Sequence, residues 1–333
     1  MKTWMVAMIG LVLTPAFSQK IYPNSDNFGV EFDRQAEWYR QCMQVRDLQP
    51  PPTAAAVGPC RPDAYYTKLN QASTGQAEWD QVRACAVARN DTAVLSMLYA
   101  NGFGVQRDTA LATKYACSTA AAYSEMEHRV AHLTNLPAGP RYDQCDDITS
   151  GYMGAICEGI AATRDDRIRK AFFARLRRSL PASQQAPFDA LVAANEAFAL
   201  AREKNEIEHN GTAAPALALA AAEREREWLR EHLAAYEKGR FDVPPAEAFP
   251  AEDAQLNAAY RQAVDAIVAE EQHPQFPRLG GEVKASGVQT TQRAWLAYRD
   301  AWVRFAGVRY PNLPADALKA ALTQWRVNQL GRW

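Results

Sequence analysis

Residues 292–300 read QRAWLAYRD and hold the densest group of side chains able to make directed contacts. An amide, a guanidinium and a carboxylate (Gln292, Arg299, Asp300) are interleaved with Trp295 and Tyr298. At 3.6 residues per turn, Gln292, Trp295, Arg299, Trp302 and Ala306 share one helical face. Arg299 and Asp300 are chain neighbours, so each is expected to pair across to another helix, with Asn257 and Gln292 as partners. Trp295, Tyr298 and Trp302 are expected to pack in the core between helices, and no nucleophile stands beside a base. The acidic pair Asp146–Asp147 has no partner in view and is expected to cap the helix after it. His128 and His132 stand four apart, a metal-compatible spacing, but no third ligand and no HExxH accompanies them. G-x-S-x-G, Walker and Cys–His nucleophile patterns are missing as well. The expectation is no catalytic residue, no metal and no cofactor.

The remaining reactive side chains are six cysteines: Cys42, Cys60, Cys85, Cys117, Cys145 and Cys157. An even count in an exported chain favours disulfides. Nearest-neighbour bridges 42–60, 85–117 and 145–157 fit the expected helical layout. Export is read from the first eighteen residues: Lys2, the apolar run 4–13, and a small-residue site at Ala16-Phe17-Ser18. That run is about half a membrane span, so cleavage is expected rather than anchoring. The protein is expected to be periplasmic or secreted, with no stable membrane insertion after cleavage. Lys plus Arg number 37 against 38 for Asp plus Glu. With no basic face to neutralise phosphates, nucleic acid is disfavoured as a partner.

The elements that must carry these groups are all helical. A helix is expected over 34–45, ended by Pro50-Pro51-Pro52 and Gly58-Pro59. Residues 67–136 are helical with one break at Gly102 and Gly104, which permit a tight, partly left-handed turn. Asp108 then caps the next helix. The Pro/Gly stretch 136–140 is the clearest boundary. Beyond it, helices are expected over 165–180, with Ile168, Phe172 and Leu176 inward, and over 187–208, 215–236, 251–272 and 315–330, with the long helix of Trp295 between the last two. The fold class is all-α: helical hairpins and bundles with a small disulfide-stapled N-terminal helical cap. The expected domains are a signal at 1–18, a Cys-stapled domain at 19–137, and two units at 141–240 and 248–333.

Those two units echo each other. A displacement of 97 puts Phe198 on Trp295, Arg202 on Arg299, Glu203 on Asp300, Trp228 on Trp325 and Leu233 on Leu330. The preceding helix matches at 88, with Ile168 on Leu256, Phe172 on Tyr260 and Leu176 on Val264.

Two resemblances follow. Ala93, Tyr99, Gly102, Gly104, Val105, Asp108, Ala112, Tyr115 and Ala120, within about 91–121, resemble one Sel-like repeat, a helical relative of the tetratricopeptide repeat. The second unit resembles the LprI-type lysozyme-inhibitor domain through Leu256-Asn257, Tyr260 and the string Gln292-Arg293-x-Trp295-x-x-Tyr298-Arg299-Asp300. The first unit resembles it faintly, through Phe198, Arg202 and Glu203. The family's late cysteines are absent here, at Val303 and around 316–318. The resemblance implies an exported binding protein rather than an enzyme. It also implies a protein partner, either a lysozyme-like wall hydrolase or another envelope protein. Asn257, Tyr260, Gln292, Trp295, Arg299 and Asp300 are the implied binding residues. The other reading is a periplasmic adaptor or assembly protein that uses the Sel-like and tandem units with no lysozyme target.

Overall fold

A computed structural model describes residues 22–23, 33–71, 73–272 and 283–331. The expected signal, 1–18, and the loop 273–281 lie outside the described residues. Among those residues there are twelve α-helices and no strand, so the chain is all-α. No described helix is long and apolar enough to cross a membrane. The chain divides into two compact units at Asp147–Ile148, a little beyond the Pro/Gly stretch.

Unit 1 contains α1 (Glu37–Val45), α2 (Ala64–Leu69), α3 (Gln76–Arg89), α4 (Thr92–Asn101), α5 (Thr109–Ser118) and α6 (Tyr123–Thr134). The α4–α5 hairpin turns where the glycines allow it: Gly102 and Gly104 have φ of +71° and +70°. At Gly104 a Cβ would lie 2.4 Å from the Cβ of Trp79. Trp79 and Phe103 stack there with ring centroids 4.9 Å apart. Asp108 accepts from the Leu111 amide at 2.9 Å and so starts α5 as expected.

The cystines correct the nearest-neighbour expectation. Cys42 is bonded to Cys117 and Cys60 to Cys85, in place of 42–60 and 85–117. Spacing along the chain cannot show that α1 packs on α5 and α6. There Trp38, Cys42, Cys117, Met126 and Val130 form one buried cluster. Cys145 and Cys157 are disulfide-bonded too. Asp147 does not cap α7: its carboxylate meets His132 Nδ1 at 2.9 Å. Ser150 takes the capping role instead, accepting from the Met153 amide. His128 is exposed.

Unit 2 contains α7 (Gly151–Ser179), α8 (Ala182–Asn205), α9 (Ala214–Tyr236), α10 (Phe249–Glu271), α11 (Ala285–Arg309) and α12 (Ala315–Leu330). The two segments expected as separate units share one core. Its spine is the antiparallel pair α8–α11. Phe198 stacks on Tyr298 with centroids 5.7 Å apart, and Phe188 meets Phe305 at 5.5 Å. Thr291 Oγ1 donates to the Ala201 carbonyl at 3.1 Å. Gly287 allows this approach, since a Cβ there would lie 3.0 Å from the Cβ of Asn205. α7 and α8 lie on α9, while α10 and α11 lie on α12.

Phe198 and Trp295 are both enclosed on the spine. Trp228 and Trp325, 97 residues apart, stack on each other at 6.1 Å. The expected inward face of α7 needs correction. Leu256 is buried, but Ile168 is 52% exposed and Arg169 is buried in its place.

Candidate functional site

The six residues singled out in the sequence separate into three environments. Asn257 is exposed on α10, where its amide donates to Asp253 Oδ2 at 3.1 Å. Asp253 also lies 3.9 Å from Arg299 Nη1. On α11 the Arg299 guanidinium sits over the Trp295 ring, 5.3 Å from its centroid. Trp295 is buried and Arg299 is mostly so, leaving Asp300 half-exposed beside them. Arg299 Nε and Nη2 donate to Asp300 Oδ1 at 3.1 and 3.0 Å. This differs from the expectation that the chain neighbours would pair elsewhere: a long guanidinium can fold back onto the next carboxylate. Asp253, which sequence reading passed over, completes the edge from α10.

Tyr260, one turn after Asn257, packs against the core. Gln292 belongs to a different network on the α12 side. Its Oε1 accepts from Arg326 Nε at 3.0 Å.

That second network is enclosed. Arg326 Nη1 donates to Glu206 Oε2 at 2.8 Å and to Gln329 Oε1 at 3.0 Å. Arg202 of α8 pairs with Glu206 and with Glu225 of α9. Glu225 also accepts from Trp325 Nε1 at 3.0 Å and Gln329 Nε2 at 2.9 Å. Two guanidiniums and two carboxylates, each under a tenth exposed, thus neutralise one another where α8, α9 and α12 meet. Buried charge persists only with such complete partnering. The network holds the helices in register.

Around it, burial pushes the Tyr298 phenol well above its ordinary value. It stays protonated and accepts from Trp302 Nε1 at 3.1 Å. At the far end of α9, burial raises the Glu237 carboxyl. Its hydrogen bonds to Arg309 and Tyr310 outweigh this and leave it below the usual carboxylate range.

The accessible set is therefore the α10–α11 edge: Asp253, Asn257, Arg299 and Asp300 above Trp295. It offers two carboxylates, an amide and the rim of a guanidinium. Such groups can exchange hydrogen bonds with a partner's charged side chains, and they include no nucleophile held by a base. The aromatic layer below fixes the guanidinium, which limits the ordering cost of binding.

Residues 246–330, the segment that carries this edge, match the family model described as lysozyme inhibitor LprI. No curated protein and no solved structure matches the chain.

Proposed function

We propose that this protein is an exported binding module that inhibits a lysozyme-like, cell-wall-degrading enzyme through the α10–α11 edge. The observation that carries the reading is the position of that edge. It lies within the segment similar to a lysozyme-inhibitor family, and its two carboxylates stand at the surface beside a guanidinium that shows only its rim above a buried tryptophan. A muramidase cleft works with paired carboxylates. Arg299 is the group suited to one of them, while Asp253 and Asp300 are released to basic side chains at the cleft's rim. The disulfide bonds in unit 1 support an oxidising compartment. In this reading α7–α9 are a second copy of the three-helix unit α10–α12, joined to it through α8 and α11, and α4–α5 are a single Sel-like repeat.

The test is muramidase turnover in the presence of the purified chain. Inhibition should saturate at one-to-one and compete with substrate. Arg299→Ala should weaken it about ten-fold, the loss of roughly 1.4 kcal/mol expected for a charge-assisted contact. Full activity of every lysozyme class at stoichiometric excess of the protein would sink the proposal.

A further inference from the structure

Outside the matched segment, α7 is incompletely covered, with thirteen of its residues exposed. Of its 29 residues only Ala162, Arg169 and Leu176 are buried. Burial at every seventh position means contact along a single line, and that line is the junction with α9. Because α8 also rests on α9, α7 and α8 stand apart on either side of it. Between them runs a groove of about 990 Å³ whose apolar lining includes Phe173, Phe188, Val192 and Leu219.

The walls of the groove differ in net sign, although the charges already have partners: Lys170 meets Asp166 of its own wall at 2.8 Å, and Arg226 of the floor donates to Glu196 at 2.8 and 2.7 Å. Lys170 and Arg177 lie seven apart on α7, and Asp189 and Glu196 lie seven apart on α8. Near the α7–α8 turn, Arg177 donates to Asp189 across the groove at 2.8 and 2.9 Å. Both side chains are about half exposed, 47% and 48%, so this pair is a weak latch. The other end is open and apolar. Tyr152, Ile156 and Leu200 are among the exposed large hydrophobic side chains. Tyr152 and Ile156 precede the groove residues Gly159 and Thr163 by seven positions, and Leu200 follows Ala193 by seven. They continue the same helical rows past the end of the groove.

Two helices held apart over a third leave the position that a fourth helix takes in a bundle, 8–10 Å from its neighbours. A seven-residue spacing of edge charges is the pattern by which one helix flanks another. We propose that this groove is the docking site for an amphipathic α-helix of a partner protein, apolar along its seam, acidic on the edge toward α7 and basic on the edge toward α8. The apolar seam covers Tyr152, Ile156, Phe173 and Leu200. The partner's acids and bases take over from Asp166 at Lys170, from Arg226 at Glu196 and from the Arg177–Asp189 latch. Because reversing a helix exchanges its edges, the charge pattern also fixes the direction in which the partner lies. This site is separate from the α10–α11 edge and does not depend on any lysozyme target.

The experiment titrates the full chain with three synthetic helices of about three heptads. They share a leucine seam and carry Glu/Lys, Glu/Glu or Lys/Lys edges. The mixed-edge peptide should bind one-to-one and at least about ten-fold tighter than the other two. Ile156→Ser combined with Leu200→Ser should weaken it about ten-fold while the chain stays folded by circular dichroism, both side chains being partly exposed. Lys170→Glu combined with Arg177→Glu makes both walls acidic and should transfer the preference to the Lys/Lys peptide. Equal affinity for all three peptides, indifference to the Ile156 and Leu200 changes, or no binding at millimolar peptide would each overturn the proposal.

Discussion

Arg326 is fully enclosed, and each of its three side-chain nitrogens has an acceptor on Gln292, Glu206 or Gln329. Removing it leaves the Glu206 carboxylate buried with Arg202 alone. Arg326→Ala should therefore cost about 3–5 kcal/mol in urea unfolding, the range for breaking a buried pair. An exposed change such as Arg293→Ala should stay within about 0.5 kcal/mol. His232 offers a second test. Its ring stacks on Trp228 with centroids 3.6 Å apart. Its Nδ1 lies 2.8 Å from the Trp228 carbonyl; a carbonyl only accepts, so this nitrogen carries the proton. Burial lowers the His232 pKa from its ordinary 6.5. Above that value the ring is neutral in both folded and unfolded chains and costs nothing. As pH falls through it the unfolded chain binds the proton first, so stability falls. Acidification below pH 6.5 should destabilise unit 2, and His232→Gln should flatten that response. A pH-independent difference between the two proteins would refute this.

Helix ends and turns follow from local chemistry. Gly104 needs both a left-handed φ and room beside Trp79. Gly58 has a similar φ of +76° but open space around it. Gly58→Ala should cost about 1–2 kcal/mol for backbone strain alone. Gly104→Ala should cost about 2–5 kcal/mol, because overpacking is added. Equal losses in denaturant would show that the Trp79 contact is slack. Such turns were legible in the sequence because Gly, Pro and Asp act on their immediate neighbours. Most helix bounds and the inward faces of Trp295 and Trp302 were legible for the same reason, through their period. What depends on another helix was not. A hydrophobic rule turns Ile168 inward, yet Arg169 is buried because Glu223 and Asp166 accept from it at 3.0 and 3.5 Å. Glu206, Glu225 and Arg326 read as ordinary surface charges until α8, α9 and α12 bring them together. Asp253 joined the candidate edge only through the packing of α10 beside α11.

At the scale of the molecule, the two units are held by different means. Unit 2 has an aromatic spine around paired charges, and unit 1 has smaller clusters tied by cystines. On chain-entropy grounds, closing loops of 75 and 25 residues stabilises unit 1 by about 4.5 and about 3.5 kcal/mol. In calorimetry of the full chain, Cys42→Ala with Cys117→Ala should lower the unit 1 transition more than Cys60→Ala with Cys85→Ala. Neither change should move the transition that His232→Gln affects. The connectivity also bears on how the protein is made. The 60–85 bridge is nested inside the 42–117 loop, so a chain emerging from its N-terminus presents Cys42 with Cys60 and then Cys85 before Cys117 exists. An oxidant that simply joins thiols in order of appearance produces cross-links that must be broken again by thiolate attack. If the thiols are joined in order of appearance, a host supplying only an oxidase should accumulate scrambled isomers that added disulfide isomerase converts to the native pairs.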